Sequence, residues 1–510
     1  MDESVGFSNV DWLFSVGKLN PEVSVIAGSS VPYGSLYIGK FSKQAYIISS
    51  NFSALTRLRK YAVDERINNL VFIQASSGAL PFRQESIEYL AIADALNTAV
   101  DCKIIIRQAA SILNMQGVVS LPLQGNIAKL TKGIKADFKA DNLNFSEFFW
   151  SIPSFKRATW SGRMDDRNSY KLFIELVDVY NASDFLPLWV KRRVFSGFGK
   201  KALMLLVPAF YFLRKFFLRD CVVFAAKSQE GFISSLPFVT LNSFVRKSKE
   251  TKEGRVIFFV NKPEGKKAYH FSRFPEFSLL LRNDLNRNAY SKYLVSLQST
   301  QSGTEYLVSD LIKGGRLDIY SPRIYRKCIE WLFLFQDKTF SGYWSRQEWK
   351  IFIFSKTKSD PEIMIVSEKF LDCLEESGRL PARVAEHGDF DFLNIIKASK
   401  EMVLLDWEFF NAVGDDFFDF SYFLFNIYTE IALIKKILFK DFLRQEPYAS
   451  YVRLFLDKKK LKSNNCIVYS VALAALRAKY QRAASCISIG NESTQYERKV
   501  SSIVLEALQI

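Results

Sequence analysis

Two histidines occur in the 510-residue chain, and the company one of them keeps points to chemistry. His387 stands two places before Asp389 in "EHGDFDFLN", Asn394 follows five residues after Asp389, and Asp406 closes the apolar run in "MVLLDWE" (402–408). Moving a terminal phosphoryl group onto a hydroxyl needs a carboxylate to take the hydroxyl proton. It also needs oxygen ligands for a divalent cation. On that reading Asp389 is the base, Asn394 and Asp406 hold the metal, and His387 fixes the loop by bonding to backbone. An HxDxxxxN match alone arises by chance. Asp406 twelve residues later, followed by "GDDFFDFSYF", makes the set far more specific.

The block "HGDFDFLNIIKASKEMVLLDWEFFNAVGDDFFDFSYFL" resembles the catalytic core of the aminoglycoside phosphotransferase and choline kinase-like family. That family reads HGDxxxxN, then an apolar strand ending in Asp-aromatic-acid, then G-D-P-x-x-D. The resemblance implies an α+β, bilobal, protein-kinase-like domain over about 229–510, with a small lobe at about 229–300 and a helical lobe at about 301–510. It implies ATP and Mg²⁺ as cofactors, Asp389 and His387 as catalytic residues, Asn394 and Asp406 as metal ligands, and Asp419 as a structural aspartate. Phe417 departs from the family's proline region. Upstream, the best alignment puts His270 at the family's phosphate-binding lysine and Asp284 at the paired glutamate, with Arg273 or Lys267 as alternative cations. The loop that would cover the phosphates, "SKETKEG" (248–254), has Gly254 alone for backbone freedom.

These residues need elements to carry them. The second segment opens with strand candidates "GRVIFFV" (254–260) and "KAYHFSRF" (267–274) and then turns mostly helical. The first segment is built differently. Apolar runs at 23–28, 45–49, 69–75, 87–93 and 116–123 alternate with stretches whose apolar residues recur every three or four places, such as "SALTRLRKYAVDE" and "CKIIIRQAASILN". Alternation of this kind predicts an α/β, doubly wound, Rossmann-like parallel sheet over 1–228.

Within it, "ALPF" (79–82) and "SILNMQGVVSLPL" (111–123) resemble class I S-adenosylmethionine methyltransferases. An adenosyl cofactor wants a glycine turn after the first strand and an acid after the second for the ribose hydroxyls. Here the turn "AGSSVPYG" (27–34) offers Gly28 and Gly34, the ribose acid falls at Ser49, and the adenine-side aspartate falls at Ser76. The expectation is a degenerate, non-catalytic scaffold with weak affinity for S-adenosylmethionine.

Composition bounds the rest. A hydrophobic share of 48% with 46 phenylalanines predicts large cores and no long disorder. Six scattered cysteines without a CxxC pair read as reduced, cytosolic thiols. The acidic start "MDESVGFSNVDW" does not read as a signal peptide. The net charge of +16 admits anionic lipid, phosphorylated substrate or nucleic acid; nucleic acid lacks a recognisable module and is not expected. Segment 190–220 carries eight Lys or Arg from Lys191 to Arg219, but its longest uncharged run, Ala202 to Leu213, is 12 residues, too short to cross a bilayer. It either lies at an anionic membrane face or packs as a core helix with a basic edge.

The function expected from all of this is an ATP- and Mg²⁺-dependent phosphotransferase acting on a hydroxyl of a small molecule or glycan. It would be joined to a methyltransferase-like scaffold, cytoplasmic or peripheral at the inner membrane face, in cell-surface polysaccharide synthesis. The alternative is a scaffold in which both domains have lost catalysis.

Overall fold

The computed structural model describes residues 21–509 apart from short breaks and the longer stretches 177–198, 212–219, 230–242, 250–254, 273–281, 300–304, 317–321 and 486–490. Two compact units make up the chain. The first is Met1–Ser278 with Ser296–Leu311, and the second is Leu279–Val295 with Ile312–Ile510.

In the first unit the five expected strands form β1 (Val23–Ala27), β2 (Gln44–Ser49), β3 (Leu70–Gln74), β4 (Ile87–Ile92) and β5 (Leu113–Gln124). They pair in parallel in the order β3-β2-β1-β4-β5. Helices α1 (Phe52–Asp64), α2 (Ala99–Ile112) and α3 (Ile127–Ala140) connect or follow them. Parallel strands covered on both faces read as unbroken apolar runs, and β1 is buried from Ser24 to Ala27. Thr98 caps α2, its hydroxyl accepting from the Asp101 backbone N–H at 3.2 Å.

Beyond β5 the sheet turns antiparallel. β8 (Asp220–Ala226) sits between β5 and β6 (Phe145–Ser154), antiparallel to both, and β7 (Ala158–Arg163) pairs with β6 and is followed by helix α4 (Arg167–Leu176). The sheet then continues through β9 (Ser243–Lys249), β10 (Arg255–Lys262), β11 (Gly265–Ser272), β13 (Glu305–Asp310) and β12 (Val295–Ser299), thirteen strands among the described residues. The strands expected to open a separate small lobe after residue 228 are therefore β10 and β11 of this same sheet. Their link is β9, which pairs with β7 from Ala158↔Lys249 to Gly162↔Val245, so the compact units divide at Ser278.

The second unit is helical around two small sheets, one of β14 (Gly314–Arg316), β17 (Ile395–Ala398) and β18 (Met402–Leu404), the other of β15 (Gly342–Tyr343), β16 (Ala382–Glu386) and β19 (Asn411–Asp415). Its central helices are α5 (Pro322–Thr339), α6 (Arg346–Thr357), α7 (Pro361–Glu376), α8 (Phe418–Lys435), α9 (Tyr448–Lys459), α10 (Asn465–Ser485) and α11 (Asn491–Leu508). In α8, Phe418, Phe420, Tyr422, Phe423, Leu424, Phe425 and Ile427 are all buried, the pattern of a helix enclosed on every side. Helices α7 and α10 bring Cys373 and Cys466 into a disulfide across 93 residues of sequence. This corrects the expectation of reduced thiols throughout, since distant cysteines become neighbours only once two helices pack. Cys102, Cys221 and Cys328 are free and buried. Cys486 and most of the basic segment 190–220 lie outside the described residues. No helix among the described residues is long and apolar enough to cross a membrane.

Candidate functional site

The strand order of the first unit reverses at β1, which has β2 on one side and β4 on the other. Open α/β sheets take their ligands outside the carboxyl ends of the strands at such a switch point. Gly28 and Ser29 follow β1 there, Ser49 ends β2, and Asp94 lies two residues past β4. Gly28 is buried, and its backbone N–H donates to the Ile48 carbonyl at 3.0 Å. A Cβ on Gly28 would stand 2.8 Å from the Ala93 Cβ and 3.2 Å from Asp94 Oδ1, so only glycine lets the turn lie this close to β4.

Asp94 ties that turn down. Its Oδ2 accepts from the Ser29 backbone N–H at 2.6 Å and its Oδ1 from the Ser29 hydroxyl at 2.9 Å. The Ser49 hydroxyl donates to the Ser29 carbonyl at 3.1 Å and accepts from the Asn51 N–H at 3.2 Å. Hydrogen bonds thus run from the end of β4 through the β1 turn to the end of β2. Of the four residues expected here, the structure joins Gly28 and Ser49 through Ser29. Gly34 lies in the 3₁₀ turn Tyr33–Lys40, and Ser76 accepts from the Gly78 N–H at 3.2 Å in a turn of its own. The "ALPF" turn is held by Gln108, which accepts from the Leu80 N–H at 3.2 Å and donates to the Gly78 carbonyl. Asp94 escaped the sequence reading, although its cue, an acid just past an apolar strand, is the one that singled out Asp406.

In the second unit the His387 loop is a braced, buried structure. His387 Nδ1 accepts from the Asp389 N–H at 3.3 Å, which leaves Nε2 to donate to the Leu405 carbonyl at 2.9 Å. Complete burial pushes the imidazole down to about 4, so the ring is neutral. Asp419 accepts from the backbone N–H groups of His387 at 2.7 Å and Gly388 at 3.0 Å. Burial, with Glu386 nearby, pushes the Asp419 carboxyl up to about 7. Gly388 has φ +83°, and a Cβ there would lie 2.2 Å from the Phe409 carbonyl oxygen.

Asn394 Nδ2 donates to Asp389 Oδ2 at 2.8 Å and to the Asp389 carbonyl at 3.1 Å. Asp406 adopts the left-handed conformation, φ 62°, just after β18 (Met402–Leu404). Its neighbour Trp407 is buried, stacks on Tyr290 at 5.4 Å, and donates its backbone N–H to Asp284 Oδ1 at 2.6 Å.

Behind the loop Arg477 donates to both oxygens of Glu386, and the Asp415 N–H donates to Glu386 Oε1 at 2.7 Å. Asp415 also caps α8, accepting from the Phe417 and Phe418 N–H groups at 2.9 Å each. The structure therefore brings His387, Asp389, Asn394 and Asp419 together and seats Asp284 beside the Asp406 turn. His270 belongs to β11 of the first unit, opposite Ile257 and Leu307, so it and Asp284 fall in different units. Lys267 pairs with Asp310 on the adjacent strand at 2.6 Å. Arg273, Gly254 and most of the 248–254 loop lie outside the described residues.

No family model matches the chain. It is 24% identical over 156 residues to the ubiquinone/menaquinone biosynthesis C-methyltransferase UbiE of Rickettsia peacockii (strain Rustic) and equally to that of Rickettsia rickettsii (strain Sheila Smith). These matches cover 30% of this chain and 57% of each relative, so the chain spans little more than half the length of the relatives it matches. Among solved structures it is similar to the YcgJ protein of Bacillus subtilis (12% identity, TM-score 0.26, covering 43% of this chain and 97% of that one). A second likeness is the geranyl diphosphate C-methyltransferase of Streptomyces coelicolor A3(2) (10% identity, TM-score 0.26, 43% and 80%).

Over those 156 residues the chain resembles C-methyltransferases. The expectation of an alcohol phosphotransferase is overturned, because the curated relatives that the chain matches are C-methyltransferases. His387, Asp419 and Glu386 are buried braces for a loop and a helix start, and Asn394 is bonded to Asp389.

Proposed function

We propose that the first unit is a methyltransferase-type module that binds S-adenosylmethionine. The observation that carries this reading is the β1–β4 switch point, where the turn at Gly28 meets polar groups from the ends of β2 and β4. Open α/β sheets take their ligands at such a switch point, where β2 offers its terminal residue to a ribose. The chemistry that fits is transfer of the sulfonium methyl group to an acceptor.

Ser49 sets the affinity. A hydrogen bond to a charged group contributes about 1.5–3 kcal/mol and one between neutral groups about 0.5–1.5. A serine in place of an acid at the ribose thus costs about tenfold in binding, at one decade per 1.4 kcal/mol. Thermal-shift titration of the full chain with S-adenosylmethionine tests the reading, with Ser49→Asp expected to bind about tenfold tighter. The absence of any shift in either protein would contradict it.

A second reading, a scaffold that has lost the cofactor, is favoured by one observation. The Ser49 hydroxyl is already donated inward, to the Ser29 carbonyl. On that reading neither protein responds to the ligand.

A further inference from the structure

We propose that the open edge of β3 docks a second copy of this chain, the two β3 strands pairing antiparallel about a two-fold axis at Phe72. Strand β3, "LVFIQ", ends the sheet among the described residues and pairs on one side with β2, from Ala45↔Leu70 to Ser49↔Gln74. Along a strand, successive residues turn their backbone N–H and C=O to opposite sides. The Asn69 carbonyl accepts from the Ala45 N–H at 3.1 Å, and the Ala75 N–H donates to the Ser49 carbonyl at 3.2 Å. Residues 69, 71, 73 and 75 therefore face β2, and Leu70, Phe72 and Gln74 turn their donors and acceptors outward.

Sheets ordinarily guard such an edge with lysines, a proline, a bulge or a covering element. From Ile67 to Phe82 the chain holds no charged residue, and the β2–β3 register runs without a bulge. Val71 is 39% exposed, and α1, which packs on β3, leaves Phe52 and Val63 exposed as well. Two chains of net charge +16 repel each other, so a charge-free edge is where a second copy meets least opposition.

The strand is also its own complement. With Phe72 on the axis, Phe72 faces its counterpart, Val71 faces Ile73 of the second copy, and Leu70 faces Gln74. Aromatic and β-branched cross-strand pairs of this kind favour pairing, and no like charges stand opposite. Phe72 exchanges both outward hydrogen bonds with its counterpart, and Leu70 does so with Gln74. A two-fold contact of this kind closes on itself as a dimer. The strand at the other end of the sheet, β12, reads "VSLQS" and is mostly polar, so it offers no such set.

Sedimentation velocity on the full chain, from low to high micromolar concentration, tests the pairing. Wild type is expected to pass from monomer to dimer. Val71→Lys places a charge on the exposed edge, and Gln74→Pro removes an outward N–H that β2 does not use. Each variant is expected to weaken the dimer about tenfold or more while its circular dichroism stays that of wild type. Amide exchange of wild type alone gives a second readout: the peptide spanning 70–74 should exchange more slowly as the dimer fills. A wild type that stays monomeric overturns the proposal. So does a dimer that neither variant weakens, growth into larger species (the mark of head-to-tail pairing), or exchange at 70–74 that ignores concentration. If neither variant folds, the exchange measurement decides.

Discussion

Removing Arg477 should cost the second unit a large part of its stability. The residue is buried in α10 and donates to both oxygens of Glu386, with Asp415 Oδ2 at 3.8 Å. Its guanidinium also lies 3.8 Å from the centre of the Phe418 ring. Arg477→Met fills similar volume but strands two buried carboxylates. Breaking one side of a buried ion pair costs about 3–5 kcal/mol. Against a typical total of about 5–15 kcal/mol, that is about a fifth or more of the stability of a domain. Urea unfolding of wild type, Arg477→Met, Glu386→Gln and the double variant measures it. Each single variant should lose about 3–5 kcal/mol and the double clearly less than their sum, because the second change removes the charge that the first left unpaired. An Arg477→Met protein within about 1 kcal/mol of wild type would refute the reasoning, since a change that mild is typical of exposed sites.

Three further outcomes follow from the geometry. Because burial holds the His387 imidazole at about 4 against an ordinary 6.5, its contribution to stability is complete above pH 6.5 and is lost as the pH falls toward 4. Asp415 and Asp419, pushed up to about 7, act in the opposite direction: their share is complete below 3.8 and lost as the pH rises through 7. The stability difference between wild type and His387→Asn isolates the histidine and should shrink by about 3 kcal/mol between pH 7 and pH 4, read by urea unfolding at each pH; a flat difference would contradict it. Reducing Cys373–Cys466 opens a loop of 93 residues and should cost about 2–4 kcal/mol by calorimetry, whereas six titratable thiols in the denatured, unreduced chain would show that the bond does not form. Gly28→Ala should destabilise the first unit by about 1–3 kcal/mol, since its methyl meets Ala93 at 2.8 Å, and a thermally unchanged variant would show that the turn has room to move.

The parallel half of the first unit was legible because its central strands β1 and β4 are buried on both faces, which writes each one as a short unbroken apolar run. What followed was not. β8 inserts between β5 and β6, and β9 to β11 extend the same sheet by antiparallel edge pairing, which leaves no mark on any one strand. The site residues divide along similar lines. Gly28 and Ser49 were found because a turn and a strand end flank them locally. Asp94 acts on a turn 65 residues earlier, and Arg477 is a single basic residue in "VALAALRAKY" whose partner lies 91 residues back. The loop at 386–419 shows the converse. Its spacing marks the residues out, but that His387 and Asp419 are fully buried is not written in the spacing.

The central claim is that the crevice between β1 and β4 takes an adenosyl ligand. Calorimetric titration of the intact chain with S-adenosylhomocysteine tests it most directly. The account predicts saturable binding at one site per chain, abolished by Gly28→Val; no heat from the intact chain at millimolar ligand would contradict it.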